Sequence, residues 1–341
     1  MDHLPSELLE AIFALSCTDG GRTGCSLALV SRHIRAAART TRFHSIILQS
    51  GSGSGSQLRL LLSLLTAERA IDAPLKPRVK HLYVSSPQSD KDSFLRPFCR
   101  QYAGGCRPAE VEAQAERYSQ ERIAFVENLS LLLRTIAAEV ETLCLAQSGD
   151  GYRWTTEIPF PVPEAQCGEF SALRELTLVG GGMTFSNTLT QGAVLYPRLA
   201  RLHLVAAATR LARWTERAPN VSHLCVSDDR GHMYTEVARV ARRDPASDET
   251  PIVFTGLKQF VVQPYGFARA EEQTILPWDA QASRFNEWQL GWLKENASQP
   301  FHLRPTKVLS SSEGGWEDIA LREWLDRIEG GSGCWTMPSA S

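Results

Sequence analysis

Apolar positions along this chain follow a helical spacing for about forty residues and a strand-like spacing from Phe43 onward. At the start, Leu4, Leu8 and Ile12 fall four apart, as do Leu9 and Phe13, so a helix gathers them on one apolar stripe. Pro5 suits the first helical position, where its missing N–H has no intrahelical partner to lose. Glu7 meets the positive end of the helix dipole in the same turn. A glycine-rich break from Thr18 to Gly24 follows, and then a second apolar helix carrying Leu27, Val30 and Ile34. Two such short helices cannot bury both stripes against each other, so the unit needs a partner.

Beyond it, the template apolar-x-x-apolar-x-apolar recurs. It reads Phe43, Ile46, Leu48; Val79, Leu82, Val84; Val140, Leu143, Leu145; Leu173, Leu176, Leu178; Leu199, Leu202, Leu204; Val221, Leu224, Val226; and Leu257, Phe260, Val262. The second and third apolar residues of each copy are two apart, the spacing of one face of a strand. Successive copies start 36, 61, 33, 26, 22 and 36 residues apart. Helix-like sequence lies between several of them, at Leu129 to Glu139 and at Thr209 to Ala218. The predicted fold class is therefore α/β, built of strand–turn–helix units that cover one another's apolar sides.

Three stretches interrupt the series. Gly51 to Ser56 is a Gly/Ser run with the composition of a flexible loop, ahead of a helix that begins near Leu58. Residues 87–108 read as a polar insertion before a helical stretch, Ala109 to Glu139, of one or two helices. Residues 243–251 read as a charged loop. After Pro264 tryptophans accumulate (278, 288, 292, 316, 324 and 335), and two helices are expected, over 285–296 and 316–328. In the second, Trp316, Ile319, Ala320, Trp324 and Ile328 share a face, and the expectation is that it packs on the last strand unit. The tail beyond Gly330-Gly331-Ser332-Gly333 is expected to be loose.

The run Leu4-Pro5-Ser6-Glu7-Leu8-Leu9, then Ile12-Phe13, then Leu27-Ala28-Leu29-Val30-Ser31-Arg32, resembles the F-box, which docks a substrate receptor onto the Skp adaptor of a cullin–RING ubiquitin ligase. The wider run from Cys17 to Arg35 is similar to F-box proteins of mushroom-forming (basidiomycete) fungi. Where many F-boxes carry a Trp after the second helix's Val-Ser pair, this chain has His33-Ile34. The later repeats resemble degenerate leucine-rich repeats. Only the 26- and 22-residue spacings fall within the usual range of about 20–29, and Ser148, Gly181, Ala207 and Asp229 stand where an Asn or Cys normally caps the turn. The resemblance implies three regions: an F-box-like helical module over 1–42, an irregular leucine-rich-repeat-like solenoid over 43–265, and a Trp-rich helical cap with a loose tail over 266–341. Leu4, Pro5, Leu8, Leu9, Ile12, Phe13, Leu27 and Val30 would bind the Skp adaptor, and a concave, strand-lined face would hold an unknown protein substrate.

Composition narrows the remaining classes. The chain has 341 residues, 43% hydrophobic and 22% charged, with a net charge of −2. These are the proportions of a folded globular protein, and they give no bulk electrostatic drive toward nucleic acid. No signal-peptide pattern and no membrane-spanning run is read, so a cytoplasmic or nuclear protein is expected. The eight cysteines (17, 25, 99, 106, 144, 167, 225 and 334) contain no Cys-x-x-Cys pair, so reduced thiols and no metal are expected. His81, His203 and His223 flank the central residue of their templates and read as strand histidines that need not share a face. Gly180-Gly181-Gly182 lacks the Lys-Ser or Lys-Thr of a phosphate loop, no Gly-x-Ser-x-Gly elbow occurs, and Asp228-Asp229 and Glu271-Glu272 read as solvated turns. No catalytic residue and no cofactor is assigned. The expectation is a non-enzymatic substrate receptor. Its rival is a repeat scaffold whose N-terminal helices cap its own array.

Overall fold

Each of the seven template copies supplies a strand: β1 (Ser45–Leu48), β2 (His81–Ser85), β3 (Thr142–Ala146), β4 (Glu175–Val179), β5 (Arg201–Val205), β6 (His223–Asp228) and β7 (Gln259–Phe267). They belong to a computed structural model that describes residues 4–49, 54–71, 76–86, 109–146, 168–180, 194–205, 210–228, 234–241, 251–267, 288, 290–295, 297, 300–305, 307–309 and 316–335. The expected insertion at 87–108, the charged loop at 243–250, Gly181-Gly182, Asp229 and Glu271-Glu272 lie outside these residues. So do all four positions where a turn cap would stand (148, 181, 207 and 229) and the tail after 335. Two short strands follow, β8 (Phe301–Leu303) and β9 (Lys307–Leu309). Strands β1 to β8 lie side by side in sequence order, every pairing is parallel, and β9 pairs the later half of β7. The fold is mixed α/β with a parallel sheet.

Register is what the template encodes. Its central residue forms one row across the sheet: Ile46, Leu82, Leu143, Leu176, Leu202, Leu224 and Phe260 are successive partners. The third position makes a second row on the same face, because side chains two apart in a strand point the same way. The first position lies before each strand and is buried in six of the seven copies, with Leu257 partly so. Between the first and second positions one backbone carbonyl accepts two N–H groups from the next unit. His44 accepts from Lys80 and His81, Lys80 from Glu141 and Thr142, and Glu141 from Arg174 and Glu175. Arg174, Ala200 and Ser222 continue the series. The connection into each strand is thus hydrogen-bonded to its neighbour before the ladder begins.

Helices cover the face that carries these rows. They are α4 (Ser54–Ala70), α5 (Ala109–Ile136), α6 (Leu211–Arg217) and α7 (Tyr234–Ala241), counted after three N-terminal helices: α1 (Ser6–Ser16), α2 (Arg22–Val30) and α3 (Arg32–Ala37). Leu58, Leu62 and Leu65 of α4, Leu129, Leu132, Leu133 and Ile136 of α5, Trp214 of α6 and Val240 of α7 join the strand residues in one core. Phe170, Tyr196 and Trp214 stack at 5.7 and 5.8 Å where the chain turns into β4, β5 and β6. Two boundaries differ from expectation. Residues 109–136 form a single helix, and α4 starts at Ser54, inside the Gly/Ser run, since serine is a good residue for a helix start. Residues 290–295 are helical, as expected.

The last described elements are α8 (Trp316–Ile328) and a 3₁₀ turn, Gly333–Trp335. Helix α8 was expected on the last strand. It lies instead on the opposite face of the sheet, against β2, β3 and β4. Its apolar side meets Tyr83, Cys144, Ala146, Val179 and Val205, residues that alternate with the helix-facing rows and so form a second apolar surface. Among the described residues no helix is long and apolar enough to cross a membrane. Replacing Leu176, fully buried in the central row, by Ala is expected to cost about 2–5 kcal/mol in denaturant unfolding. The same change at Leu60, 67% exposed on α4, is expected to stay within about 0.5 kcal/mol.

Candidate functional site

The N-terminal helices have two faces. Leu9 and Phe13 turn inward and pack with Cys17, Ile34 and Ala38, with Leu27 partly buried against them. Leu4, Leu8, Ile12, Leu15, Leu29 and Val30 are exposed; Leu8 and Ile12 are about half open, and Leu29 is 81% exposed. The predicted site residues therefore divide. Leu4, Pro5, Leu8, Ile12 and Val30 lie at the surface, whereas Leu9, Phe13 and Leu27 hold the unit together.

Local chemistry explains the division. Pro5 stands one position earlier than expected, as the cap before Ser6, with its carbonyl accepting from the N–H groups of Leu8 and Leu9. The second apolar helix is in fact two. Ser31 is extended, and its Oγ accepts from the N–H of Ile34 at 3.1 Å, so α2 ends at Val30 and α3 starts afresh. That break leaves Leu29 and Val30 outside and turns Ile34 in. Asp19 fixes the start of α2, accepting from the N–H and the hydroxyl of Thr23 at 2.9 and 2.7 Å. A side chain at Gly24 would run into the carbonyl of Arg42, so the close approach requires glycine.

The same unit covers the open edge of the sheet. Ile47 of β1 donates its N–H to the Gly20 carbonyl at 3.2 Å. Ser45 Oγ donates to the Cys17 carbonyl and accepts from the Gly20 N–H. Arg39 and Arg42 both pair with Glu68 of α4. An edge strand with free donors invites pairing with other chains, and here the 17–21 loop satisfies it.

The strand face away from the helices was expected to be open for a substrate. Its middle is occupied by the chain's own residues 316–335. Tyr83 donates its hydroxyl to the Glu317 carbonyl at 3.1 Å, and its ring lies 5.9 Å from Trp324. Glu175, 6% exposed, is the polar hub: Arg201 and Arg327 donate to its Oε2 at 3.4 and 3.3 Å, and Trp335 Nε1 donates to Oε1 at 3.3 Å. A buried carboxylate is tolerated only with such partners.

Beside it His203, Cys225 and Cys334 converge, all buried, with one potential ligand atom from each within 4.8 Å of the others. Nε2 of His203 lies 3.0 Å from Ser227 Oγ, and Nδ1 lies 4.0 Å from Glu323 Oε2. Trp335 covers His203 and His223 edge-on, with ring centroids 6.3 and 6.0 Å away. Burial pulls the His203 imidazole down, but Cys225 and the carboxylates of Glu323 and Glu175 more than offset it, so its affinity for a proton is raised. Hydrogen bonding from Cys334 holds the Cys225 thiol well below its ordinary value, while burial pushes Cys334 up. A Cys–His pair can serve a nucleophile, and this one is buried beneath Trp335.

Two sequence readings are corrected here. His203 and His223 do share a face, because residues on either side of a core leucine both point away from it. The scattered cysteines also do not stay apart: Cys225 and Cys334, 109 positions apart in sequence, meet across the sheet. Aligning the template copies would have placed His203 beside Cys225, since both follow their central leucine and are register partners. Nothing in the sequence pattern announces Cys334.

Two outcomes test this face. Burial lowers His81 to about 4, against roughly 6.5 in an unfolded chain. Its contribution to stability is therefore present above pH ~6.5 and lost as pH falls toward 4. The stability difference between wild type and His81→Asn, followed by denaturant unfolding, is expected to shrink over that window. Glu175→Gln is expected to weaken the docking of residues 316–335 by about 3 kcal/mol, read as faster amide exchange in α8 with α5 unchanged. Compared with protein-family models, curated proteins and solved structures, the chain matches none.

Proposed function

We propose that this chain is a non-catalytic receptor subunit that docks onto the Skp adaptor of a cullin–RING ubiquitin ligase and presents a protein substrate, in the cytosol or nucleus. The observation that carries the reading is the outward apolar face of the N-terminal helices. Leu4, Leu8, Ile12, Leu15, Leu29 and Val30 are solvent-exposed on a small unit whose other face is already satisfied by its own packing. Several exposed large apolar side chains on one small unit favour an interaction site. The residues coincide with the outward positions of the F-box-like run, and Leu9, Phe13 and Leu27 support the contact from beneath.

Strands in sequence order, all parallel and sharing stacked rows of leucine, support a leucine-rich-repeat-like solenoid for residues 43–265. Ubiquitin transfer then falls to other subunits, and the chain supplies proximity and orientation. The rival reading, helices that merely cap the array, accounts for the 17–21 loop on the edge of β1. It gives no role to the exposed leucines.

The test is co-purification of the full chain with a Skp adaptor, beside Leu8→Asp combined with Ile12→Asp. Each apolar side chain buried on docking is worth about 1.5–3 kcal/mol, so the double variant is expected to bind at least about 100-fold more weakly. Its thermal unfolding should stay close to wild type, because both positions are exposed. Absence of binding by folded wild type would leave the capping scaffold as the function.

A further inference from the structure

The trio of His203, Cys225 and Cys334 has a consequence separate from docking. We propose that it is a zinc site that locks the C-terminal segment onto the strand face. The three donors come from β5, β6 and the 3₁₀ turn, and all are buried with their ligand atoms within 4.8 Å of one another. Two sulfurs and one imidazole are a donor set that zinc favours, and tetrahedral coordination places such donors within about 4 Å of each other.

Charge balance favours this ion at this depth. Zinc with two thiolates and a neutral imidazole sums to zero, so an electrically neutral centre is buried. Without the ion, the same space holds two thiols, which are weak donors and acceptors, beside a ring whose Nε2 meets Ser227 Oγ at 3.0 Å. The surroundings are arranged as around a ligating histidine. Nε2 lies 3.0 Å from Ser227 Oγ, which is itself 4.0 Å from Cys225 Sγ, and Nδ1 faces Glu323 Oε2 at 4.0 Å, just beyond hydrogen-bond distance. A carboxylate on the second ring nitrogen fixes the tautomer and orientation of a metal-bound imidazole.

The backbone that delivers Cys334 is also specific. Gly333 has φ +52°, and a Cβ there would collide with Arg327 and the Glu323 carbonyl. Arg304 Nη2 donates to the Cys334 carbonyl at 2.6 Å. Three protein donors leave a fourth coordination position. Binding releases the proton of each thiol that is not already ionised.

The experiment uses the full chain, purified under reducing conditions, stripped with a chelator and titrated with Co²⁺, whose tetrahedral thiolate complexes absorb strongly in the visible. One equivalent is expected to bind, giving intense d–d bands and a thiolate-to-cobalt charge-transfer band, and zinc should bleach both. Cys225→Ser and Cys334→Ser should each weaken binding by at least tenfold, while Cys25→Ser, at an exposed position, leaves it unchanged. Zinc added to stripped wild type should also slow proteolysis within residues 316–335, a readout that needs no variant to fold. Failure of wild type to give the tetrahedral spectrum overturns the site, as does a spectrum that persists when both cysteines are replaced. A Cys225–Cys334 disulfide in metal-free protein isolated under reducing conditions overturns it equally. None of these results bears on adaptor binding.

Discussion

Parallel register is the constraint on which everything else rests. Each strand contributes only three to nine residues, too few to hold a position alone. The stacked row from Ile46 to Phe260 fixes where each unit sits, because a one-residue slip would turn every leucine away from the helices. The doubly accepting carbonyls at His44, Lys80, Glu141, Arg174, Ala200 and Ser222 reinforce it by tying each incoming turn to the previous unit. Once the register is set, the residues between the leucines have no freedom either. They must line the opposite face, in rows of their own.

Those second rows explain why part of the architecture was legible in the sequence and part was not. Alternation of leucine with other residues announces the strands, their order and their helix-facing side, and all seven template copies found their place. The helix over 316–328 was equally readable from Trp316, Ile319, Ala320, Trp324 and Ile328. Its location was not. Apolar spacing says that a helix must cover something, and the last strand was the nearest candidate in sequence. The greater apolar surface lay further back, where Tyr83, Cys144, Val179 and Val205 come together only after the strands have aligned. The hub at Glu175 was hidden for a related reason: a lone glutamate opening a strand looks like a surface residue until Arg201, Arg327 and Trp335 surround it.

At the N-terminal end periodicity finds the apolar residues of the helices but does not sort them. Ser31 decides the matter with one hydrogen bond. By capping α3 it interrupts what periodicity alone reads as a continuous helix, and it parts Val30 from Ile34. The unit then does two things at once, closing the edge of β1 with its loop and keeping leucines free on its far side. Capping and the proposed docking are compatible in such a unit because they use different surfaces.

The closure of the strand face has a temporal side. Tyr83 and Glu317 are joined across 234 positions, and Glu175 and Trp335 across 160. During synthesis on a ribosome, strands β1 to β7 emerge well before the residues that cover them. A nascent chain can therefore complete its leucine rows while the other face is still bare, and loop closure over such separations is slow. The polypeptide passes through a stage at which this second apolar strand surface is open to any neighbouring molecule, and synthesis of residues 316–335 ends that stage.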